Sequence, residues 1–129
     1  MASVNKIEDL IIWQKSRELV KLIFTLTSKE VFSKEFFLKD RAKRSAISIM
    51  SNISEGFGRG GNKEFVQFLY IANGSLNELK AQVYIASDFN LIKEKDMNEI
   101  FELTTSIELM IKSLSRKLKE SEFKGTKFK

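Results

Sequence analysis

The 129-residue chain contains no cysteine, no proline and no histidine. Without cysteine there is neither a disulfide framework nor a thiol nucleophile. Without histidine the usual zinc ligand and the commonest general base are missing as well, so a metal site would have to rest on carboxylates alone. No apolar run approaches the roughly 18 residues of a membrane-spanning helix, and the first residues lack a basic stretch followed by an apolar core and a cleavage site. These absences point to a cytoplasmic protein with no membrane attachment, no cofactor, no metal and no catalytic residues. The length fits one domain that can bury a core without staples.

Charge is present in both signs but unevenly placed. The net charge is +5, yet residues 1–110 hold 15 basic and 15 acidic side chains, whereas 111–129 hold seven basic and two acidic. The reading is a neutral helical domain over 1–120 followed by a basic, flexible tail over 121–129. The basic run that begins at Lys112 and includes Arg116, Lys117 and Lys119 has two explanations. It attracts phosphate by counterion release, or it is a solvated helix end that complements its own macrodipole.

With no proline to break helices and only six glycines, the 3.6-residue periodicity predicts an all-α chain of four helices. The first spans about Asp9 to Ser28, with Ile12, Ser16, Leu19, Ile23 and Leu26 on one side and Trp13, Val20 and Phe24 beside them as core aromatics and aliphatics. The pattern breaks between Lys29 and Phe37. The second helix runs from about Leu38 to a C-terminal cap at Gly56. The third starts on Asn62 as N-cap and carries Phe65, Leu69, Ala72, Leu76, Leu79, Val83 and Ala86 at alternating spacings of four and three, with Asn90 closing it. The fourth, from about Lys95 to Glu120, repeats that seam through Met97, Ile100, Thr104, Ile107, Ile111, Leu114 and Leu118. Helices of this length joined by short connections form an antiparallel, up-and-down four-helix bundle. Ile11, Leu22, Ile71, Leu103 and Met110 fall off the seams, and such surplus apolar residues predict self-association.

The stretch Arg44 to Gly61, RSAISIMSNISEGFGRGG, is the most unusual part. Ile47, Ile49, Met50, Ile53 and Phe57 form an apolar stripe. Arg41, Arg44, Ser48, Asn52 and Glu55 share a second face that is polar and mostly small, and serine and asparagine inside a helix suggest a polar contact or close packing. Gly74, inside the third helix, costs about 1 kcal/mol relative to alanine, so a close approach is expected there. With Ser75, Ala81 and Gln82 it forms a small polar face that would meet the Ser48 and Asn52 face of the second helix, from the same subunit or the next, while Glu55 and Glu78 would satisfy Arg41, Arg44 or the serines across helices or subunits. Gly56, Gly58 and Gly61 match G-x-G-x-x-G, but the motif follows a helix rather than a strand and lacks a P-loop ending, so it reads as a flexible inter-helix turn. Glu55, Glu64 and Glu78 lack the paired histidines of bundle di-metal sites.

In order, Leu10, Trp13 and Gln14, then S-I-x-S-N-I-x-E-G from Ser48 to Gly56, then E-F-x-x-F-L from Glu64 and G-S-x-x-E-L from Gly74, resemble one family. It is the small four-helix bundle family first noted as open reading frames within intervening sequences of bacterial 23S ribosomal RNA genes, and the resemblance extends over roughly residues 7–118. It implies a ring-like homopentamer of antiparallel bundles with no established catalytic activity. It is also similar to the accessory protein of diversity-generating retroelements, a basic pentamer that partners a reverse transcriptase and RNA. The sequence departs from the family pattern at Ser33 and Met50, where members often have proline, and at Arg41, where they often have glutamine.

These readings converge on a non-enzymatic homo-oligomer that binds RNA or DNA through phosphate contacts. The residues expected to make them are Arg41, Lys43 and Arg44, then Arg59 and Lys63 on the glycine turn, then Arg116, Lys117 and Lys119. The neutral body keeps a second reading open, a protein-interaction scaffold that touches no nucleic acid.

Overall fold

The apolar seams of the sequence organise the computed structural model, which describes residues 5–123. A 3-10 turn, Ile7–Asp9, leads into α1 (Ile11–Thr27), followed by the single-turn α2 (Glu30–Ser33), α3 (Phe36–Arg59), α4 (Asn62–Asp88) and α5 (Glu94–Phe123). Four long helices thus form the bundle, and no strand occurs among the described residues. The expected tail lies outside them from residue 124 onward.

Cross-helix contacts fix the antiparallel order. Trp13 near the start of α1 donates its indole N–H to Ser54 Oγ late in α3 (2.8 Å), whereas Phe24 near the end of α1 lies under Lys43 early in α3. Ser48 of α3 bonds Ser75 of α4, and Asn62 at the start of α4 donates to the Leu118 carbonyl near the end of α5 (3.2 Å). Around the bundle the order is α1, α3, α4, α5, with α5 closing onto α1. One end, the terminal end, gathers the start of α1, the α3–α4 turn and the end of α5. The distal end gathers α2, the start of α3 and the α4–α5 connection.

The core is where the periodicity placed it. Leu19, Ile49, Ile53, Leu69, Leu76, Leu79, Ile100 and Ile107 are fully buried, and every position of the α4 seam is buried. Leu22, Leu103 and Met110, apparently surplus by spacing, pack against this core, while Ile11 and Ile71 remain exposed. The wide apolar faces of α1 and α5 absorb more residues than a strict seam uses.

Four local expectations are corrected. Gly56 does not cap α3; it is buried inside the helix, where a Cβ would stand 2.8 Å from Phe68 Cβ and 2.9 Å from Phe65 Cδ1. The cap is Gly60, at φ +82°, a left-handed conformation that costs glycine little. The close approach expected at Gly74 is absent from the protomer, since a Cβ there meets nothing within 4 Å. Asn62 does not cap α4 with its side chain, which instead ties the helix start to α5. Ile47, assigned to the apolar stripe of α3, is exposed.

Asn90 does close α4. It sits at φ 59°, and the Leu91 N–H reaches the Ala86 carbonyl (2.8 Å) while the Asn90 N–H reaches Ser87 (3.0 Å). This is the paired bonding of a Schellman ending, with asparagine tolerating the left-handed position.

Candidate functional site

The polar face of α3 closes on α4 within one protomer. Ser48 Oγ and Ser75 Oγ share a 2.7 Å hydrogen bond. The Asn52 amide donates to the Ser48 carbonyl (2.8 Å) and to Ser48 Oγ (3.1 Å). Small side chains are needed here because the helices approach closely, and their hydroxyls satisfy one another where water has limited access. Glu55 lies outside this clasp and pairs with Arg59 one turn on (2.8 Å). Gly74 and Glu78 face outward. With Ile71, Ala81, Ile85 and Phe89 they form an exposed stripe on α4 at three- and four-residue spacing, mostly small or apolar, with Glu78 its one charge.

The basic residues separate into two groups. Arg41, Lys43 and Arg44 lie at the distal end, whereas Arg59, Lys63, Arg116, Lys117 and Lys119 lie at the terminal end. From Arg41 to Arg59 the α3 backbone rises about 27 Å at 1.5 Å per residue. Arg44 is held by Asp40 (2.8 Å) and Arg59 by Glu55, both exposed pairs of small energetic value.

Many of these cations sit over aromatic rings. At the terminal end, the Arg59 guanidinium lies 5.1 Å from the Phe68 centroid and Lys119 Nζ 4.9 Å from that of Tyr70. At the distal end, Lys39 covers Phe36 (5.5 Å), Arg41 covers Phe37 (5.0 Å) and Lys43 covers Phe24 (4.4 Å). Phe36 and Phe37 are 74% and 73% exposed. Phe24 is therefore not the core aromatic that its spacing suggested; Phe65 is buried, and Trp13 is half-buried. Sequence reasoning missed the Phe36–Phe37 pair because the break in periodicity placed it in a loop. The only sequence signal was two adjacent aromatics within a basic segment.

The terminal end also holds an open groove of ≈450 Å3 between α1 and α5, lined by Leu10, Ile11, Ile12, Met110 and Leu114, with Asp9, Ser113 and Lys117 also on its walls. Lys117 thus borders an apolar surface, apart from Lys119. Among the described residues no helix is long and apolar enough to cross a membrane, and no cluster of carboxylates is arranged to hold a metal.

The profile of the family described as 23S rRNA-intervening sequence protein matches residues 8–113. No curated protein matches the chain. Among solved structures, the chain is similar to a protein of unknown function from the S23 ribosomal protein family of Bacteroides thetaiotaomicron. The two are 24% identical, with a TM-score of 0.74 over 81% of this chain and 97% of the other, a likeness of fold.

Proposed function

Because this chain belongs to the 23S rRNA-intervening sequence protein family, we propose that it acts as a non-enzymatic, cytoplasmic, self-associating bundle that binds RNA or DNA through phosphate contacts. The observation that carries the nucleic-acid reading is the distal cluster, where Lys39, Arg41 and Lys43 lie over exposed or half-exposed rings and form no ion pair among the described residues. Cations held on rings rather than on carboxylates keep their charge available to phosphate. Titrating labelled RNA and duplex DNA across a salt series tests this. Binding that weakens steeply with salt is the expected result; an intact protein that binds neither at low salt overturns it.

Self-association is supported by the outward stripe of α4, and the resemblance supports a pentamer as the assembly. Gly74→Leu is a useful probe, since a Cβ added there meets nothing within 4 Å in the protomer. It should lower the mass measured by light scattering without changing the helical circular dichroism. A second reading, a scaffold for a polypeptide, is favoured by the apolar groove between α1 and α5; binding to such a groove would persist in salt.

A further inference from the structure

We infer that the distal end of the bundle is a stacking platform for unpaired RNA nucleotides, with Phe36 and Phe37 receiving bases and Lys39, Arg41 and Lys43 the adjoining phosphates. The inference rests on the nucleic-acid reading above and names the form of nucleic acid that the site takes.

Single exposed apolar residues are ordinary, but this end presents Phe24, Val31, Phe36, Phe37 and Phe89 together. Phe36 and Phe37 are consecutive on α3, about 100° apart around its axis, and no neighbouring helix covers either. The core at this end takes its ring from Phe32 of α2 instead, which is buried.

Rings interleaved with cations fit a single strand. Every base offers a π-face for stacking, and the neighbouring phosphate meets the cation. Residues 29–44 hold six basic and three acidic side chains, so this short segment supplies much of the chain's net positive charge. Lys29 and Arg44 are engaged by Asp96 and Asp40, whereas Lys39, Arg41 and Lys43 have only their rings as partners among the described residues. A duplex hides its base faces within its own stack and leaves the two phenylalanines without a partner. RNA presents such faces in loops, bulges and ends. An anionic membrane, the other surface that takes exposed rings among cations, is an outcome of the test below.

The experiment measures anisotropy of a labelled 12-nucleotide unpaired RNA, the same RNA annealed to its complement, and the equivalent DNA single strand, using the full chain. Anionic vesicles form a parallel arm. The expected result is unpaired RNA binding at least tenfold tighter than the duplex. Phe36→Ala with Phe37→Ala should weaken the unpaired RNA by about tenfold or more while leaving the duplex unchanged, since each stacked base contributes about five- to a hundredfold. Phe36→Tyr with Phe37→Tyr, which keeps the rings, should retain the affinity. Equal binding of both forms, no loss in the alanine variant, or tighter binding of the DNA strand overturns the platform for RNA while leaving salt-dependent phosphate binding intact. Vesicle binding abolished by the alanine pair, with RNA unaffected, assigns the rings to lipid. Failure to bind any nucleic acid overturns the inference and the reading beneath it together.

Discussion

Gly56 and Gly58 stand two residues apart in α3 and meet opposite surroundings. A methyl group at Gly56 would press into Phe65 and Phe68 of α4, whereas one at Gly58 meets nothing within 4 Å. Gly56→Ala should therefore destabilise the protein by about 1–3 kcal/mol through overpacking, more than the helix propensity it recovers. Gly58→Ala should stabilise it by up to about 1 kcal/mol by the same propensity term alone. Urea unfolding of both variants checks the pair, and equal midpoints would show that the helices do not approach at Gly56. The glycine-rich character of this stretch was legible in the sequence. The roles were not, because Gly56, Gly58, Gly60 and Gly61 all resemble a helix stop, and only the position of α4 decides which one is touched. Similarly, Gly74 looked like a contact because glycine is costly inside a helix, yet its surroundings within the protomer are open.

At the scale of elements, the α4 and α5 seams were readable because alternating spacings of four and three leave one apolar face and hence one packing solution. The start of α3 was not. Its first turn carries Phe36 and Phe37 in water, and periodicity recognises a helix by the face it buries. Nor does spacing distinguish a covered aromatic from an uncovered one, so Phe24 and Phe65 looked alike until α2 and α4 were in place. The small polar face of α3 did signal a partner, and the Ser48–Ser75 bond shows α4 as one, within the protomer. Removing the Ser48 hydroxyl leaves Ser75 without its partner in a closely packed seam, whereas Ser48 keeps the Asn52 amide when Ser75 is changed. A double-mutant cycle of Ser48→Ala and Ser75→Ala should report a coupling of about 0.5–1.5 kcal/mol. A coupling near zero would mean that water serves each hydroxyl equally well.

For the whole molecule, the up-and-down order was legible from helix lengths and short connections, but the distribution of charge was not. The eight basic positions, named from three places in the sequence, are divided by the length of α3 into two ends. The distal group should dominate binding to unpaired RNA. Changing Lys39, Arg41 and Lys43 to glutamine should then reduce the slope of log K against log salt by about 2, at about 0.7 per phosphate contact on a single strand. The same change at Arg116, Lys117 and Lys119 should alter the slope less. A larger effect from the second set would move the binding surface to the terminal end.

The order of the helices around the bundle also bears on how the chain folds. Each long helix is followed in sequence by one it packs against, and the intervening connections, residues 28–35, 60–61 and 89–93, are short. Most native contacts, the closure of α5 onto α1 apart, therefore join helices adjacent in sequence, which favours rapid folding. With no prolyl bond to isomerise and no disulfide to rearrange, the slow chemical steps that delay many domains have no source here. Refolding of the protomer should follow one fast exponential, and if copies associate as proposed, a slower phase should accelerate with protein concentration.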